Sequence, residues 1–272
     1  MDQSVGLRAN DRARAVADLT AFVATSIEAA RASDNPFYHL EFDRVFPEDV
    51  YVAMLAAMPV TADYRRMSGR RKEDVRADGT PTRVKIDLFP EYIRSLPAEK
   101  RPIWDLVGRA LCSREVHAAF VRRLAPELER RFGEGYADVG MYPIPVLTRD
   151  VPGYKILPHT DTHWKGITVQ LYLPRDDRHV NIGTIFHGRG ADGNLTRDAQ
   201  MRFARNSGYA FAVTDVSWHS ADPVGNDVDT RDSILLTYFV DAGPLRFLRN
   251  RGKRIGNFVL NEVRQVTGQD QP

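Results

Sequence analysis

Two histidines and one aspartate are spaced along this sequence in a way that could hold a metal ion. His159 and Asp161 lie two residues apart, and His219 follows much later. On a β-strand, residues i and i+2 point to the same side, so the first pair can reach one ion from a strand end. Two imidazoles and one carboxylate occupy one face of a metal octahedron and leave the other face open, which is the pattern of non-haem Fe(II) sites. We therefore predict a metal site made of these three residues.

The segment after the first pair predicts a strand that could carry further site residues. Residues 167–173 alternate between apolar and other side chains, which is typical of a strand. One face of this strand would present Thr168, Gln170 and Tyr172, because residues two apart share a face. Pro174 and a charged run then end the strand.

A second predicted strand, residues 231–240, opens with an arginine suited to binding a carboxylate. An apolar run at residues 209–213 precedes it and predicts a buried strand, and a turn that carries His219 follows that run. The guanidinium of Arg231 is a permanent cation whose fork of N–H donors matches a carboxylate. Ser233 lies on the same face and can donate to the same group. We expect the pair to bind the far carboxylate of a dicarboxylate co-substrate.

Taken together, the motifs His159-x-Asp161, His219 and Arg231-x-Ser233 resemble those of the Fe(II)/2-oxoglutarate-dependent dioxygenases, in particular the prolyl-hydroxylase-like branch. Residues 167–174 are similar to the strand that follows HxD in that branch. A tyrosine of a Tyr-Leu pair contacts 2-oxoglutarate there, and Tyr172 occupies that place. The specific motifs cover about residues 154–240, and the first 140 residues resemble the family more loosely.

The resemblance implies an α+β fold with a mainly β core, namely a double-stranded β-helix (jelly-roll) barrel backed by amino-terminal helices. Helical periodicity predicts those helices at residues 10–32, 50–58 and 102–132. We expect a single domain over residues 1–272. Its parts would be a helical amino-terminal support region at about 1–135, a catalytic barrel at about 136–242 and a helical extension at about 243–272.

The resemblance also implies a chemistry. Fe(II) would be the metal, with 2-oxoglutarate and O2 as co-substrates and ascorbate as a candidate reductant. Arg231, Ser233, Tyr172 and Thr168 would bind 2-oxoglutarate. His163, in the loop after the metal pair, and Gln170 are candidate substrate contacts. The expected reaction is hydroxylation of a C–H bond with release of succinate and CO2, while desaturation and ring formation stay open.

Composition limits the partners. The chain has 272 residues, 43% of them hydrophobic, and its 38 basic and 36 acidic residues leave a net charge of only +2. This balance favours neither nucleic acid nor an anionic membrane surface. The lone cysteine, Cys112, fits a reducing compartment, and the polar amino terminus lacks a signal-peptide core. We expect a cytoplasmic enzyme acting on a small molecule or a peptide, and the oligomeric state stays open.

Two other classes of function use similar residues. A cupin-like oxygenase or isomerase could use the same triad without 2-oxoglutarate, although Arg231-x-Ser233 argues against it. A non-catalytic barrel that binds a small molecule would not need three ligands and a co-substrate anchor.

Two segments are also open to two interpretations. Residues 65–83 are highly charged and predict a solvated loop or a mobile lid. The basic residues 246–264 predict a final helix or a subunit contact.

Overall fold

The computed structural model describes residues 3–67, 75–76 and 78–241. Within these ranges, six α-helices lie in the first half of the chain, and none of them is long and apolar enough to cross a membrane. The helices are α1 (Gln3–Glu28), α2 (Glu48–Ala56), α3 (Pro90–Ile93), α4 (Arg101–Leu111), α5 (Arg114–Arg123) and α6 (Ala125–Phe132). The predicted helical stretch 102–132 is thus three helices, since Ser113 caps α5 and Pro126 lies in the first turn of α6. The expected carboxy-terminal helix lies outside the described residues, as do residues 68–74 and 77 of the charged loop. The two ends of that loop, at Arg65–Arg66 and Arg83, belong to strands.

Twelve β-strands complete the described part of the fold. They are β1 (Arg31–Ser33), β2 (His39–Phe42), β3 (Arg65–Arg66), β4 (Arg83–Asp87), β5 (Met141–Asp150), β6 (Ile156–His159), β7 (Lys165–Tyr172), β8 (Ile185–Arg189), β9 (Leu195–Gln200), β10 (Gly208–Ala212), β11 (Trp218–Ala221) and β12 (Arg231–Val240). The bounds predicted for β12 are confirmed, and those predicted for β7 and β10 differ by one or two residues.

The strands form two antiparallel sheets. The larger sheet has eight strands in the order β1-β2-β10-β7-β12-β5-β4-β3, and the smaller has four in the order β6-β11-β8-β9. Four strands of the larger sheet come from residues 31–87, so the amino-terminal region contributes strands as well as the expected helices. These strands are short and lie between helices, and an alternation over two to five residues is too weak a signal to read.

The larger sheet has one apolar face and one polar face. The apolar face packs against the helices through residues such as Val169, Leu171, Ile234 and Leu236, which share a core with Leu19 and Val23 of α1. Each such buried side chain contributes roughly 1.5–3 kcal/mol. The other face, which we call the inner face, carries polar side chains that are cross-strand neighbours. Its members include Arg83, Thr148, Asp150, Thr168, Gln170, Tyr172, Arg231 and Ser233. The predicted shared face of Thr168, Gln170 and Tyr172 is confirmed.

Aromatic rings join the two sheets. Phe186 of β8 lies 5.1 Å from Tyr209 and 5.9 Å from Phe211, ring centre to ring centre, and both partners belong to β10. Phe37 lies 4.7 Å from Phe186. Such edge-to-face and tilted pairs stabilise a core beyond the area that they bury. The inner face is therefore closed at this end by an aromatic cluster and is lined by polar groups elsewhere.

Pro143 and Pro145 lie within strand β5, although a proline usually interrupts a central strand. On one side β5 pairs with β12 along its whole length. On the other side the pairing with β4 begins only at Val146, opposite Asp87. Pro143 lies beyond this pairing, and Pro145 meets the chain after β4 only through its carbonyl oxygen, which accepts from the Leu88 N–H at 2.9 Å. Neither position needs a proline N–H on this side, so a ten-residue strand can contain both.

Gly183 is required where the β7–β8 connection meets the end of β9. A Cβ at this position would lie 1.9 Å from the carbonyl oxygen of Met201. We expect Gly183→Ala to lower the free energy of unfolding by about 1–3 kcal/mol, the usual cost of overpacking. Denaturant unfolding would measure it. Gly135→Ala is the matched control, since a Cβ there meets nothing within 4 Å. Equal stability of the two variants would contradict this account.

Candidate active site

The three predicted metal ligands come together at the edge of the smaller sheet. His159 is the last residue of β6 and lies directly opposite His219 of β11, with ring centres 4.3 Å apart. Asp161 follows β6 by two residues. One potential ligand atom from each of the three lies within 4.8 Å of the others. His219 belongs to a strand, so its predicted place in a turn was wrong; four residues are too few for the pattern to show.

Hydrogen bonds to the backbone orient both imidazoles. Nδ1 of His159 lies 2.9 Å from the carbonyl oxygen of Leu157, and Nδ1 of His219 lies 3.0 Å from that of Ser217. A neutral imidazole that donates from Nδ1 keeps Nε2 as a ligand atom. Burial, and secondarily the neighbouring His159, lower the pKa of His219 to about 4, although Asp161 opposes the shift. His219 is therefore neutral near pH 7, which is the form that binds metals.

Asp161 supplies the negative charge. Its two oxygens accept hydrogen bonds from Lys165 Nζ at 2.5 Å and from Thr168 Oγ1 at 2.6 Å. Burial alone would raise the pKa of Asp161, but the charge of Lys165 and the hydrogen bonds from Lys165 and Thr168 hold it below its usual range. Two imidazoles and one ionised carboxylate fit an Fe(II) ion. Thr168, which was predicted to bind the co-substrate, donates to Asp161 in this structure, and the contact of Lys165 with Asp161 was not predicted.

Thr168 offers a test of how the carboxylate is oriented. We expect Thr168→Val, which removes the hydroxyl but keeps the shape, to weaken metal affinity about 10- to 100-fold, as is typical for partners of metal ligands. Metal titration followed by calorimetry would measure it. Thr237 is the cross-strand neighbour of Thr168 on the same face, and Thr237→Val is the matched control. Unchanged affinity in Thr168→Val would mean that Lys165 alone orients the carboxylate.

Arg231 opens β12 and is buried on the inner face, where its partner is a protein carboxylate. Its Nε and Nη2 donate to Oδ2 of Asp150 at 3.1 and 2.9 Å, and Nη1 donates to the carbonyl oxygen of Ile182 at 2.6 Å. Asp150 is itself paired with Arg83 of β4. The sequence pointed to Arg231 but gave no signal for Asp150 or Arg83, because their contact depends on the register of three strands.

Ser233 lies in a short chain of hydroxyl and amide groups on the same face. Gln170 Nε2 donates to Ser233 Oγ at 2.6 Å, and Thr148 Oγ1 lies 2.9 Å from the same oxygen. Gln170 was predicted to contact the substrate, and in this structure its amide is directed at Ser233. Two neighbours thus position the hydroxyl of Ser233. Ser233 lies two residues after Arg231 on the same face of β12.

The predicted co-substrate contact Tyr172 is fully buried and bonded within the protein. Its hydroxyl donates to Thr184 Oγ1 at 3.1 Å and accepts from the Thr184 N–H at 2.9 Å. The hydroxyl of Tyr209 reaches the same threonine at 2.9 Å. Burial raises the pKa of both phenols, so both stay protonated. Tyr209 and Thr184 were not predicted, although the alternation of β10 places Tyr209 on the inner face.

A cavity of about 460 Å³ opens beside the metal triad. Its lining includes Asp161, His163, Glu127 and Asp215. The ring of His163 is exposed and lies 5.0 Å from that of Trp164, ring centre to ring centre. His163 therefore lines this cavity and lies outside the triad of His159, Asp161 and His219.

Arg131, at the end of α6, joins the loops on both sides of this cavity. Its guanidinium donates to the carbonyl oxygens of His163, Lys165 and Val213. The first two carbonyls belong to the loop and strand after Asp161, and the third follows β10. One half-buried side chain thus holds the backbone on both sides of the cavity.

Solved structures similar to this chain include prolyl hydroxylases and other 2OG-Fe(II) oxygenases. A Pseudomonas putida prolyl-4-hydroxylase is 15% identical, with 82% of this chain and 99% of that chain covered and a TM-score of 0.45. A Trichoplax adhaerens prolyl hydroxylase, solved with a hypoxia-inducible-factor peptide fragment, is 10% identical, with 88% and 94% covered and a TM-score of 0.48. A non-heme α-ketoglutarate-dependent epimerase from nogalamycin biosynthesis is 12% identical, with 81% and 82% covered and a TM-score of 0.46.

No protein-family model matches the sequence, and no curated protein matches it. At identities of 10–15% and TM-scores of 0.45–0.48, the individual activities of these solved structures are not transferred to this chain.

Proposed function

We propose that the chain is an Fe(II)- and 2-oxoglutarate-dependent oxygenase. The observation that carries the proposal is the convergence of His159, Asp161 and His219 within 4.8 Å beside a polar, buried sheet face. The two imidazoles and the carboxylate would hold the ion by one side. Bound iron of this kind supplies oxidation of a C–H bond by O2, coupled to decarboxylation of 2-oxoglutarate to succinate and CO2, with ascorbate as a candidate reductant.

The inner face would bind the co-substrate. Arg231 would pair with the far carboxylate, next to Ser233, whose hydroxyl is held by Gln170 and Thr148. Tyr172 would line the same site, since it is the cross-strand partner of Ser233. Its hydroxyl could reach a ligand only by sharing or leaving Thr184, so its role there is weaker than that of Arg231. These side chains would orient the molecule and exclude water from it.

The proposal extends to the architecture and the substrate. Two antiparallel sheets joined by an aromatic core support a double-stranded β-helix, with the catalytic part at about residues 136–242 and the helices of residues 1–135 as its support. The cavity beside Asp161 favours a small molecule or a peptide side chain as substrate. Hydroxylation is the proposed outcome, and the cytoplasm is the proposed compartment.

Dependence of turnover on 2-oxoglutarate tests the proposal. The protein would be loaded with Fe(II) and offered amino acids, peptides and sugar derivatives, with and without 2-oxoglutarate. We expect succinate formation and oxygen uptake that require 2-oxoglutarate, and a product heavier by about one oxygen atom for the right substrate. His219→Ala is the matched control. Oxygen uptake that is independent of 2-oxoglutarate would instead indicate a cupin-like enzyme.

A further inference from the structure

Three charged side chains form a buried row across the larger sheet. Arg83 of β4, Asp150 of β5 and Arg231 of β12 are direct cross-strand neighbours on the inner face. The exposed fractions of their side chains are 7%, 0% and 5%. Both guanidiniums also lie over the ring of Tyr154, at 4.0 and 5.3 Å from its centre. Charges as deeply buried as these are normally paired, because an unpaired buried charge is costly.

The three side chains of this row have a net positive charge. Among the described residues, Asp150 is the carboxylate within salt-bridge distance of either arginine. Burial alone would raise the pKa of Asp150, but Arg83 and Arg231 outweigh it and lower the pKa, so the carboxylate is ionised. Two cations and one anion leave a net charge of about +1 in a buried region, which an anionic ligand would neutralise.

Asp150 makes unequal hydrogen bonds with the two arginines. Arg83 donates to both oxygens of Asp150. Its Nε donates to Oδ1, and its Nη2 donates to Oδ2 at 2.7 Å. Arg231 shares only Oδ2 and places its Nη1 on a carbonyl oxygen. A guanidinium has five N–H donors, so two donors of Arg231 remain for a ligand after these three bonds. Two-point pairing makes Arg83 the stronger partner of Asp150.

We propose that Arg83 sets the charge of the co-substrate site: by neutralising Asp150 it keeps the charge of Arg231 for the far carboxylate of 2-oxoglutarate. The inference rests on the proposed function. Arg83 acts through Asp150 and is a positioning residue. Without Arg83, Asp150 would neutralise Arg231, and the site would lose its attraction for an anion although the anchoring arginine is still there.

A charge-balance series tests this role by calorimetric titration of 2-oxoglutarate into the anaerobic Fe(II)-loaded protein. We expect Arg83→Met to weaken 2-oxoglutarate binding roughly 10- to 100-fold. In this variant Asp150 neutralises Arg231, so the far carboxylate of the ligand lacks a counter-charge in a buried site. The double variant Arg83→Met/Asp150→Asn should recover most of the affinity. It restores the net charge of +1, and the introduced amide would keep a carbonyl oxygen for Arg231. Arg83→Lys should bind nearly as well as the wild type.

The ligand 2-oxopentanoate is the matched control, because it has a methyl group where 2-oxoglutarate has its far carboxylate. Its affinity should be the same in all variants. A purely structural role for Arg83 predicts that the double variant binds no better than the single one, and that result would overturn the inference. Equal affinity of wild type and Arg83→Met would overturn it as well.

Two outcomes separate this inference from the proposed function. If the wild type does not bind 2-oxoglutarate, the proposed function fails and this inference with it. If the wild type binds and the series shows no charge dependence, only this inference fails. Thermal unfolding checks each variant. Should Arg83→Met not fold, Arg83→Gln, which removes the charge but keeps a donor for Asp150, carries the same expectation.

Discussion

Asp161→Ala is expected to remove nearly all bound iron and, with it, any turnover that depends on 2-oxoglutarate. Asp161 is the only anion of the triad, and both of its oxygens are fixed by Lys165 and Thr168. Loss of a residue that merely orients a ligand costs about 10- to 100-fold in affinity, so loss of the ligand itself should cost more. The variant would also leave the charge of Lys165 without its partner beside the two imidazoles, which opposes binding of a cation.

Metal content after dialysis, together with a direct Fe(II) titration, would measure this effect. His163→Ala is the matched control, because His163 extends the motif to His159-x-Asp161-x-His163 but its ring is exposed and outside the triad. It should keep its iron. Full iron occupancy in Asp161→Ala would exclude the triad as the metal site, and loss of iron in the control would place His163 among the ligands.

Arg231→Ala is expected nearly to abolish 2-oxoglutarate binding while the iron site survives. Breaking a buried pair of charges costs on the order of 3–5 kcal/mol, which is a few hundredfold or more in affinity at about 1.4 kcal/mol per tenfold. The protein itself should tolerate the change, because Arg83 and Asp150 remain as a neutral two-point pair. Arg231→Lys should restore part of the affinity, since the charge returns without the fork of donors.

Calorimetry on the anaerobic metal-loaded variants would separate the two steps, since Fe(II) and 2-oxoglutarate can be titrated in turn. Arg178→Ala is the matched control, because Arg178 is exposed and pairs with the exposed Asp176. Wild-type affinity in Arg231→Ala would show that another cation anchors the co-substrate or that 2-oxoglutarate is not the co-substrate.

The residues that the sequence identified are those whose signal is local. HxD, the later histidine and the arginine that opens a long alternating strand can each be recognised within a few residues, and the structure brings the triad together. The bounds of β12 and the shared face of Thr168 and Gln170 follow from period-two alternation, which holds wherever one face of a strand is apolar.

The residues that the sequence missed are those whose role comes from register. Arg83 and Arg231 are 67 and 81 positions from Asp150, and they meet only because β4, β5 and β12 pair in one alignment. A one-residue shift in the register of β5 would place the side chain of Asp150 on the apolar face, which packs against the helices. The contacts of Tyr172 with Thr184 likewise depend on how the second sheet lies over the first. No local pattern carries that information.

Because Arg131 binds the backbone of two loops that are far apart in sequence, a change in the length of one loop affects the other. Its guanidinium is shared by carbonyl groups on the HxD side and on the β10 side of the cavity. A lengthened loop on either side would move its carbonyl away from the shared donor and leave a half-buried cation undersatisfied. Homologues that act on larger substrates should therefore have changed both loops together, or have replaced this arginine.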